Sequence, residues 1–309
     1  MSSAQETFEA LGHFLYKGVL MKEFKSNDEL INYLISKGVT VNNKDDAILK
    51  IKKYTYYSII NSYKYIFKYD DGSYKENVNF NEIFSLFEFD KHIKIIFLKY
   101  ALHIEMVFKS LMANQIAENY NFSNYLDINN LDSSVNKLTK QNLIKKINEE
   151  IDKNYGIHPA ITHYKNTYGF IPPFVLVKIL SFGLASSYYG LLNQSDRQTI
   201  AKYFNISDKL LKQILKNLTN IRNISAHSDR LYSFRNKYTL SFKIIDKTYK
   251  PQDNFTNLYM IIKILKLILN DEEYLNFENE LNNEIDILNK NLHSISINDV
   301  LRIMGYPNV

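Results

Sequence analysis

The sequence predicts a mainly all-α fold. Apolar residues recur at steps of three and four from about residue 80 to about residue 117, as they do on the buried face of a helix. The chain has only 9 Gly and 5 Pro among 309 residues, which argues against long loops and a turn-rich β-sandwich. Only residues 238–244 alternate with the period of a strand, so a short β-hairpin is the most sheet that we expect.

Caps and stops define the elements near the N-terminus. Ser26 caps a first helix that ends at Gly38, and a second helix begins near Asn43 and continues into the aromatic residues 54–57. Residues 69–73 contain two Asp, a Gly and a Ser, which predict a turn before the long helix.

The middle and the C-terminal part of the chain also read as helices. Residues 121–140 are polar and predict a loop, and a helix follows at about 140–153. Pro159 begins another segment, Ile171 must be extended because a proline follows it, and Pro173 can open the next helix. The remaining predicted helices are one that follows the cap Ser207 and those at roughly 255–269, 271–290 and 297–304.

Composition excludes several classes of protein. The absence of Cys rules out disulfides, thiolate metal sites and a cysteine nucleophile. Residues 1–9 are polar and include acidic side chains, which differs from the basic start and apolar run of a secretion signal. No apolar run approaches the ~20 residues of a membrane helix. We therefore expect a cytoplasmic protein without a membrane partner.

The basic residues give the first indication of a functional segment. A net charge of +5 is compatible with a polyanionic partner but does not identify one. Only five of the 38 basic residues are arginines, and three of the five lie between residues 222 and 235. Arginine carries a rigid, permanently charged fork that suits phosphate groups.

This segment places Arg222, Asn223 and His227 within six residues, at the polar end of an apolar helix. Metal-free cleavage of RNA uses groups of these types. A histidine can accept the proton of the 2′-hydroxyl or donate one to the leaving oxygen, and an arginine stabilises charge on the phosphoryl oxygens. Asn223 could hold the imidazole ring or bind the phosphate, and RNA supplies its own nucleophile.

A purely structural interpretation of the same residues is also open. Arg222 could simply close the C-terminus of its helix. On a regular helix, five residues at about 100° each would place Arg222 and His227 roughly 140° apart. Catalysis would then require a distortion near Ser225, a long reach by the arginine, or a site completed from elsewhere.

The motif Arg-Asn-x-x-x-His at residues 222–227 is the signature of HEPN domains, a helical ribonuclease fold. Further blocks are similar to the Abi-like (abortive infection) branch of bacterial phage-defence proteins, with Ser62 where Gly is usual and Val175 where an aromatic residue is usual. These blocks lie at residues 28–39, 57–64, 84–90, 104–105, 163–183 and 304–307. The resemblance therefore covers nearly the whole chain.

The resemblance implies a HEPN-like helical bundle and a single Abi-like unit over residues 1–309, with accessory helices up to about residue 79 and the motif in about 80–309. It also implies that Arg222, Asn223 and His227 are catalytic. The implied activity is metal-independent RNA cleavage that leaves a 2′,3′-cyclic phosphate and uses no cofactor. Because the chain has one motif and HEPN nucleases usually use two, the implied site is composite and lies across a homodimer.

Other residues are candidates for contact with RNA or for support of the site. Arg230 matches an extension of the motif that is usual in the Abi-like branch. Glu105 could orient His227, pair with an arginine, or simply face solvent. His163 matches the family pattern, but with His158 it does not make a metal site. The residues expected to contact RNA are Arg230, Arg235, Lys52, Lys53, Tyr56, Tyr57 and Lys64.

Two other functions remain open from the sequence. A non-catalytic protein of this kind would bind RNA and form a regulated complex with a small structured RNA or a protein partner. A toxin would carry the same site and have it masked by an antitoxin.

Overall fold

The computed structural model describes residues 24–120, 122–227, 229–237 and 255–307, and this part of the chain is mainly helical. The predicted all-α class is therefore confirmed. The only sheet among these residues pairs two short antiparallel strands, β1 (Arg235–Asn236) and β2 (Thr256–Asn257). The strand predicted at residues 238–244 lies outside the described residues.

Contacts within the chain divide it into two compact units, Met1–Ile83 and Phe84–Val309. The first unit contains helices α1 (Asn27–Ser36) and α2 (Lys44–Tyr54). The predicted cap of α1 is confirmed as a capping box. Ser26 Oγ accepts from the backbone N–H of Glu29 at 3.2 Å, and the Glu29 carboxylate accepts from the N–H of Ser26 at 2.7 Å.

The prediction that the second helix continues into the aromatic residues 54–57 is wrong. Helix α2 ends at Tyr54 because the next residue, Thr55, has a φ of 67°, whereas a right-handed helix requires a negative φ. A π-helical turn (Tyr57–Asn61) and a 3-10 turn (Lys64–Phe67) follow instead. The predicted turn at residues 69–73 is confirmed, since the N–H of Tyr69 donates to the carbonyl of Ser73 at 2.9 Å.

The predicted long helix is present as α3 (Phe80–Tyr120), which extends three residues beyond the expected end. Most of its predicted apolar face lies in the core. The buried positions are Ile83, Leu86, Ile93, Phe97, Tyr100 and Ile104, and the half-buried ones are Phe87, Val107 and Leu111. This face fixes the rotation of α3, and so determines which of its polar residues turn towards the candidate site.

The second unit adds helices around α3. They are α4 (Lys137–Asn154), α5 (Pro159–Tyr168), α6 (Pro173–Ile179), α7 (Phe182–Tyr189), α8 (Gln194–Lys202), α9 (Asp208–Ala226), α10 (Leu258–Ile268), α11 (Asp271–Asn291) and α12 (Ile297–Met304). The loop predicted up to residue 140 is too long. Helix α4 begins at Lys137 because the Asn136 side chain caps it, accepting from the N–H groups of Leu138 and Thr139.

Helix α9 carries the candidate motif at its C-terminal end. Its predicted cap is confirmed, since Ser207 Oγ accepts from the N–H of Leu210 at 3.2 Å. Its predicted apolar stripe is buried throughout, at Leu210, Leu211, Ile214, Leu215, Leu218 and Ile221. The helix packs against α7, α8 and α10, which fixes the position of its last turn.

Helix α11 packs along α3 through Phe277. The Phe277 ring is fully buried and meets the rings of Phe97 and Tyr100 edge-on, with centroid distances of 5.3 and 5.2 Å. Polar side-chain contacts flank these rings, and they join His92 to Glu284, Lys99 to Glu280 and His103 to Glu273.

We expect Phe277→Ala to lower the free energy of unfolding by about 3–5 kcal/mol, because it leaves a cavity between α3 and α11. Leu275 lies on the same helix and is exposed, so Leu275→Ala should change it by less than about 0.5 kcal/mol. Urea unfolding followed by circular dichroism measures both values. Equal effects of the two substitutions would contradict this packing.

Candidate functional site

The motif lies where helix α9 ends. Asn223 lies in its last turn, Arg222 immediately precedes that turn, and His227 is the first residue beyond the helix. The backbone of His227 is extended, with φ −117° and ψ −179°, and its N–H donates to the carbonyl of Ile224 at 3.2 Å. The angle of roughly 140° expected for a regular helix therefore does not apply, because His227 is not on the helix. The side chains of Asn223 and His227 are exposed.

Arg222 is held from the side of α3 by Glu105. The distance from Arg222 Nε to Glu105 Oε2 is 3.7 Å, which is an ion pair but too long for a hydrogen bond. Both atoms are buried and have no hydrogen-bond partner among the described residues. The Arg222 side chain is nevertheless 36% exposed, so its accessible area lies on atoms other than Nε.

A lysine completes the surroundings of Glu105. Lys109 Nζ donates to Glu105 Oε1 and to the carbonyl of Leu180, both at 2.6 Å. The carboxylate thus lies between two cations, one on its own helix and one on α9. Of the three roles expected for Glu105, the structure supports the pairing with an arginine, which is Arg222. Among the described residues, no hydrogen bond or ion pair joins Glu105 to His227.

The segment after His227 is also fixed by α3. The buried carboxylate of Asp90 accepts hydrogen bonds from the backbone N–H groups of Leu231, at 3.0 Å, and Tyr232, at 2.6 Å. One turn further along, Lys94 Nζ donates to the carbonyl of Asp229 at 3.2 Å. One long helix therefore restrains the chain on both sides of the histidine.

The arrangement presents an imidazole, an amide and a guanidinium at one end of α9. The cations of this region are Lys94, Lys109, Arg222 and the exposed Arg230, and the acidic groups are the buried Asp90, Glu105 and the exposed Asp229. An exposed imidazole can transfer protons to or from a bound substrate, and a positive surrounding favours a phosphodiester.

A groove beside Glu105 adds an apolar surface to this region. Its volume is about 440 Å³, and its lining includes Leu102, Met106, Phe174 and Val177 together with Glu105. Leu102 and Met106 are 44% and 60% exposed, although both are apolar residues on the helix that carries Glu105. Apolar side chains of this exposure are frequent where a protein binds a partner.

The residues expected to contact RNA in the first unit are only partly brought together. Lys52, Lys53 and Tyr57 are exposed and do not line the pocket that Tyr56 and Lys64 share. Tyr56 and Lys64 line one pocket, which Tyr33 and Tyr74 also line. Sequence reasoning missed these last two tyrosines because they lie outside the aromatic run.

Two other predicted residues have local partners. Arg235 donates to the carbonyls of Phe234 and Ile303, both at 2.9 Å, which ties β1 to the end of α12. His163 is exposed on α5 and contacts the rings of Tyr164 and Tyr168. The structure does not bring either residue together with the motif through these contacts.

Sequence reasoning also missed Asp90, Lys94 and Lys109 as residues that shape the site. The one signal for Asp90 was its place at the end of the family-like block at residues 84–90. In the described part of the chain, no group of three or more His, Asp or Glu side chains is placed to hold a metal ion. None of the described helices is both long and apolar enough to cross a membrane.

Comparison with known proteins gives one match. The model of the family described as "Abi-like protein" matches residues 49–233, which is more than half of the chain and includes the motif at the end of α9. The curated proteins and the solved structures that were compared include no match.

We expect Asp90→Ala to lower the free energy of unfolding by about 2–5 kcal/mol, because it leaves two buried backbone N–H groups without an acceptor. Hydrogen exchange at the amides of Leu231 and Tyr232 should accelerate in parallel. Glu88→Ala is the matched control. The half-buried Glu88 pairs with Lys91 on the same helix and with no other residue in the described part of the chain, so its loss should change stability by less than about 1 kcal/mol. Unchanged protection of the two amides in Asp90→Ala would refute the anchoring role.

Proposed function

Because this chain belongs to the Abi-like protein family, which indicates a role in abortive infection and phage defence, we propose that it cleaves RNA at the site formed by Arg222, Asn223 and His227. The observation that carries the proposal is the placement of His227. It is exposed one residue beyond α9, while Arg222 is anchored on its buried side and partly accessible.

The reaction is a transesterification within the RNA. A base removes the proton of a 2′-hydroxyl, the 2′-oxygen attacks the adjacent phosphorus, and the bond from phosphorus to the 5′-oxygen breaks. An acid gives a proton to the leaving 5′-oxygen. The products are a 2′,3′-cyclic phosphate and a 5′-hydroxyl, and no metal ion is required.

Each residue of the motif has a role that its placement supports. His227 acts as the general base or the general acid. The guanidinium of Arg222 stabilises the charge that grows on the non-bridging phosphoryl oxygens. Asn223 is exposed on the last turn of α9 and positions the phosphate or the imidazole. Residues outside the motif would bind the RNA strand, and they are Arg230, Arg235, Lys52, Lys53, Tyr56, Tyr57 and Lys64.

A homodimer would supply the second proton-transfer group. The reaction needs a base and an acid on opposite sides of the phosphorus, and the motif offers one imidazole per chain. A second copy that brings its own His227 to the same phosphodiester would complete the pair. The exposed Leu102 and Met106, beside Glu105, are apolar side chains of the kind that a dimer interface buries.

Cleavage of end-labelled single-stranded RNA in excess EDTA tests the chemistry. The wild-type protein should cut, and His227→Ala should cut at least about 100-fold more slowly because it lacks the proton-transfer group. His92→Gln, which changes a histidine that pairs with Glu284, should cut like the wild type. RNA with 2′-O-methyl groups should resist cleavage because it lacks the nucleophile.

Two results would reject this reaction. One is a requirement for a divalent metal ion, and the other is undiminished cutting by His227→Ala. RNA that binds with a steep salt dependence and is never cut would instead favour the non-catalytic function, a regulated complex with a small structured RNA.

The dimer has its own test. We expect Met106→Glu to weaken self-association by at least about tenfold, because each copy would bury a charge in the interface, and to reduce RNA cleavage with it. Leu275→Glu introduces the same charge at an exposed apolar position on α11 and should change neither. Sedimentation equilibrium measures the association. A wild-type protein that cleaves RNA as a monomer would rule out the composite site.

A further inference from the structure

The first unit contains a pocket that the motif does not use. Its volume is about 510 Å³, within the range of roughly 300–1,000 Å³ that is typical of sites for small ligands. We call it the tyrosine–lysine pocket, after six of its lining residues. They are Tyr33, Tyr56, Tyr74, Lys37, Lys64 and Lys68.

The six residues reach the pocket from separate segments of the first unit. Tyr33 and Lys37 come from the end of α1, and Tyr56 follows the break at Thr55 that ends α2. Lys68 and Tyr74 flank the turn at residues 69–73, and Lys64 lies earlier, in the 3-10 turn. The pocket is thus a product of the folded unit and is not a local run of aromatic residues.

The tyrosines offer flat faces and protonated hydroxyl groups. Burial raises the pKa of Tyr56 to about 12 and also raises that of Tyr74, so both phenols remain hydrogen-bond donors at neutral pH. Tyr33 is 45% exposed. Among the described residues, none of the three rings packs against another aromatic ring. Lysine ammonium groups lie over two of them, those of Lys25 and Lys37 over Tyr33 and that of Lys68 over Tyr74, so a planar ligand that stacks there takes the place of these side chains.

The lysines make the pocket positive. Lys37 Nζ lies 5.4 Å from the centroid of the Tyr33 ring, and Lys68 Nζ lies 4.6 Å from that of Tyr74. Lys68 and Lys64 donate to neutral oxygens, the carbonyl of Gly72 and the side chain of Asn61, both at 2.6 Å. In the described part of the chain, no acidic side chain forms an ion pair with any of the three lysines.

One carboxylate lines the pocket and is already engaged. Asp71 Oδ1 accepts from the N–H of Ser73 at 2.8 Å and from its hydroxyl at 2.6 Å. These hydrogen bonds, with a smaller contribution from Lys68, lower the pKa of Asp71, so it stays ionised at neutral pH. Three ammonium groups therefore face one carboxylate, and the balance favours an anionic ligand.

We propose that the tyrosine–lysine pocket binds one nucleotide, with the base against the tyrosine rings and the phosphate against the lysines. Stacking faces and unpaired cations within one cavity match the two halves of a nucleotide, whereas an inorganic anion would leave the rings unused. The nucleotide is either free or part of an RNA strand. The inference rests on the first unit alone and does not depend on RNA cleavage by the motif.

Calorimetric titration of the full-length protein tests this site. The probes are adenosine 5′-monophosphate and a 2′-O-methyl hexaadenylate, which binds as single-stranded RNA does but cannot be cut by transesterification. Binding of the monophosphate alone assigns a free nucleotide, and preference for the hexamer assigns a strand. Inorganic phosphate is the third probe, and an affinity equal to that of the monophosphate would overturn the role of the base.

Variants tie the binding to the pocket. Tyr33→Ala should weaken the better probe at least about fivefold through loss of stacking, and Tyr33→Phe should restore affinity because it keeps the ring. Lys37→Gln should weaken binding and reduce its salt dependence. Tyr65→Ala removes an exposed tyrosine outside the pocket and should leave affinity within about twofold.

The thermal midpoint of each variant shows whether it is folded. The proposal is overturned if neither of the two nucleotide probes binds to the wild-type protein. So would folded Tyr33→Ala and Lys37→Gln proteins that bind as tightly as Tyr65→Ala does.

Discussion

A buried carboxylate on the long helix fixes the chain that follows the candidate catalytic histidine. Asp90 accepts hydrogen bonds from two consecutive backbone N–H groups, those of Leu231 and Tyr232, in a segment that belongs to no helix. Buried N–H groups in irregular chain need acceptors, and a single carboxylate supplies both. The end of α9 fixes one side of His227 and Asp90 fixes the other. The chain is thus held at Ala226 by the helix and at Leu231 by the carboxylate.

The same helix restrains Arg222 in a different way. The ion pair with Glu105, at 3.7 Å, attracts the guanidinium without a directional hydrogen bond. The other oxygen of Glu105 is occupied by Lys109 at 2.6 Å, so the carboxylate is held in place while the arginine is not clamped. An electrostatic restraint of this kind keeps the side chain near the end of α9 and leaves its outer donors available to a substrate oxygen.

Periodicity and capping predicted the helices well because both depend on near neighbours in sequence. The Ser207 cap, the buried stripe of α9 and the extent of α3 are cases in which the local pattern and the tertiary packing agree. The sequence located the motif but not its geometry, because a helix that stops at Ala226 removes the assumption behind the 140° angle. Asp90, Tyr33 and Tyr74 were missed for a related reason. Their partners lie in segments that only the fold brings near, and no spacing rule reports such contacts.

The arginines of this chain differ in whether the protein itself supplies acceptors for the guanidinium group. The chain has 33 lysines and five arginines, and an arginine differs from a lysine in its planar fork, which can bind two acceptor atoms at once. Arg197 bridges the carboxylates of Asp132 and Asp208, and Arg235 bridges two backbone carbonyls, so each fork is engaged by the protein itself. Arg222 has one distant carboxylate and no hydrogen bond among the described residues. The contacts of Arg222 with the described residues do not need the planar fork of a guanidinium group. A bound phosphoryl group would need it, because the fork can donate to two of its oxygens.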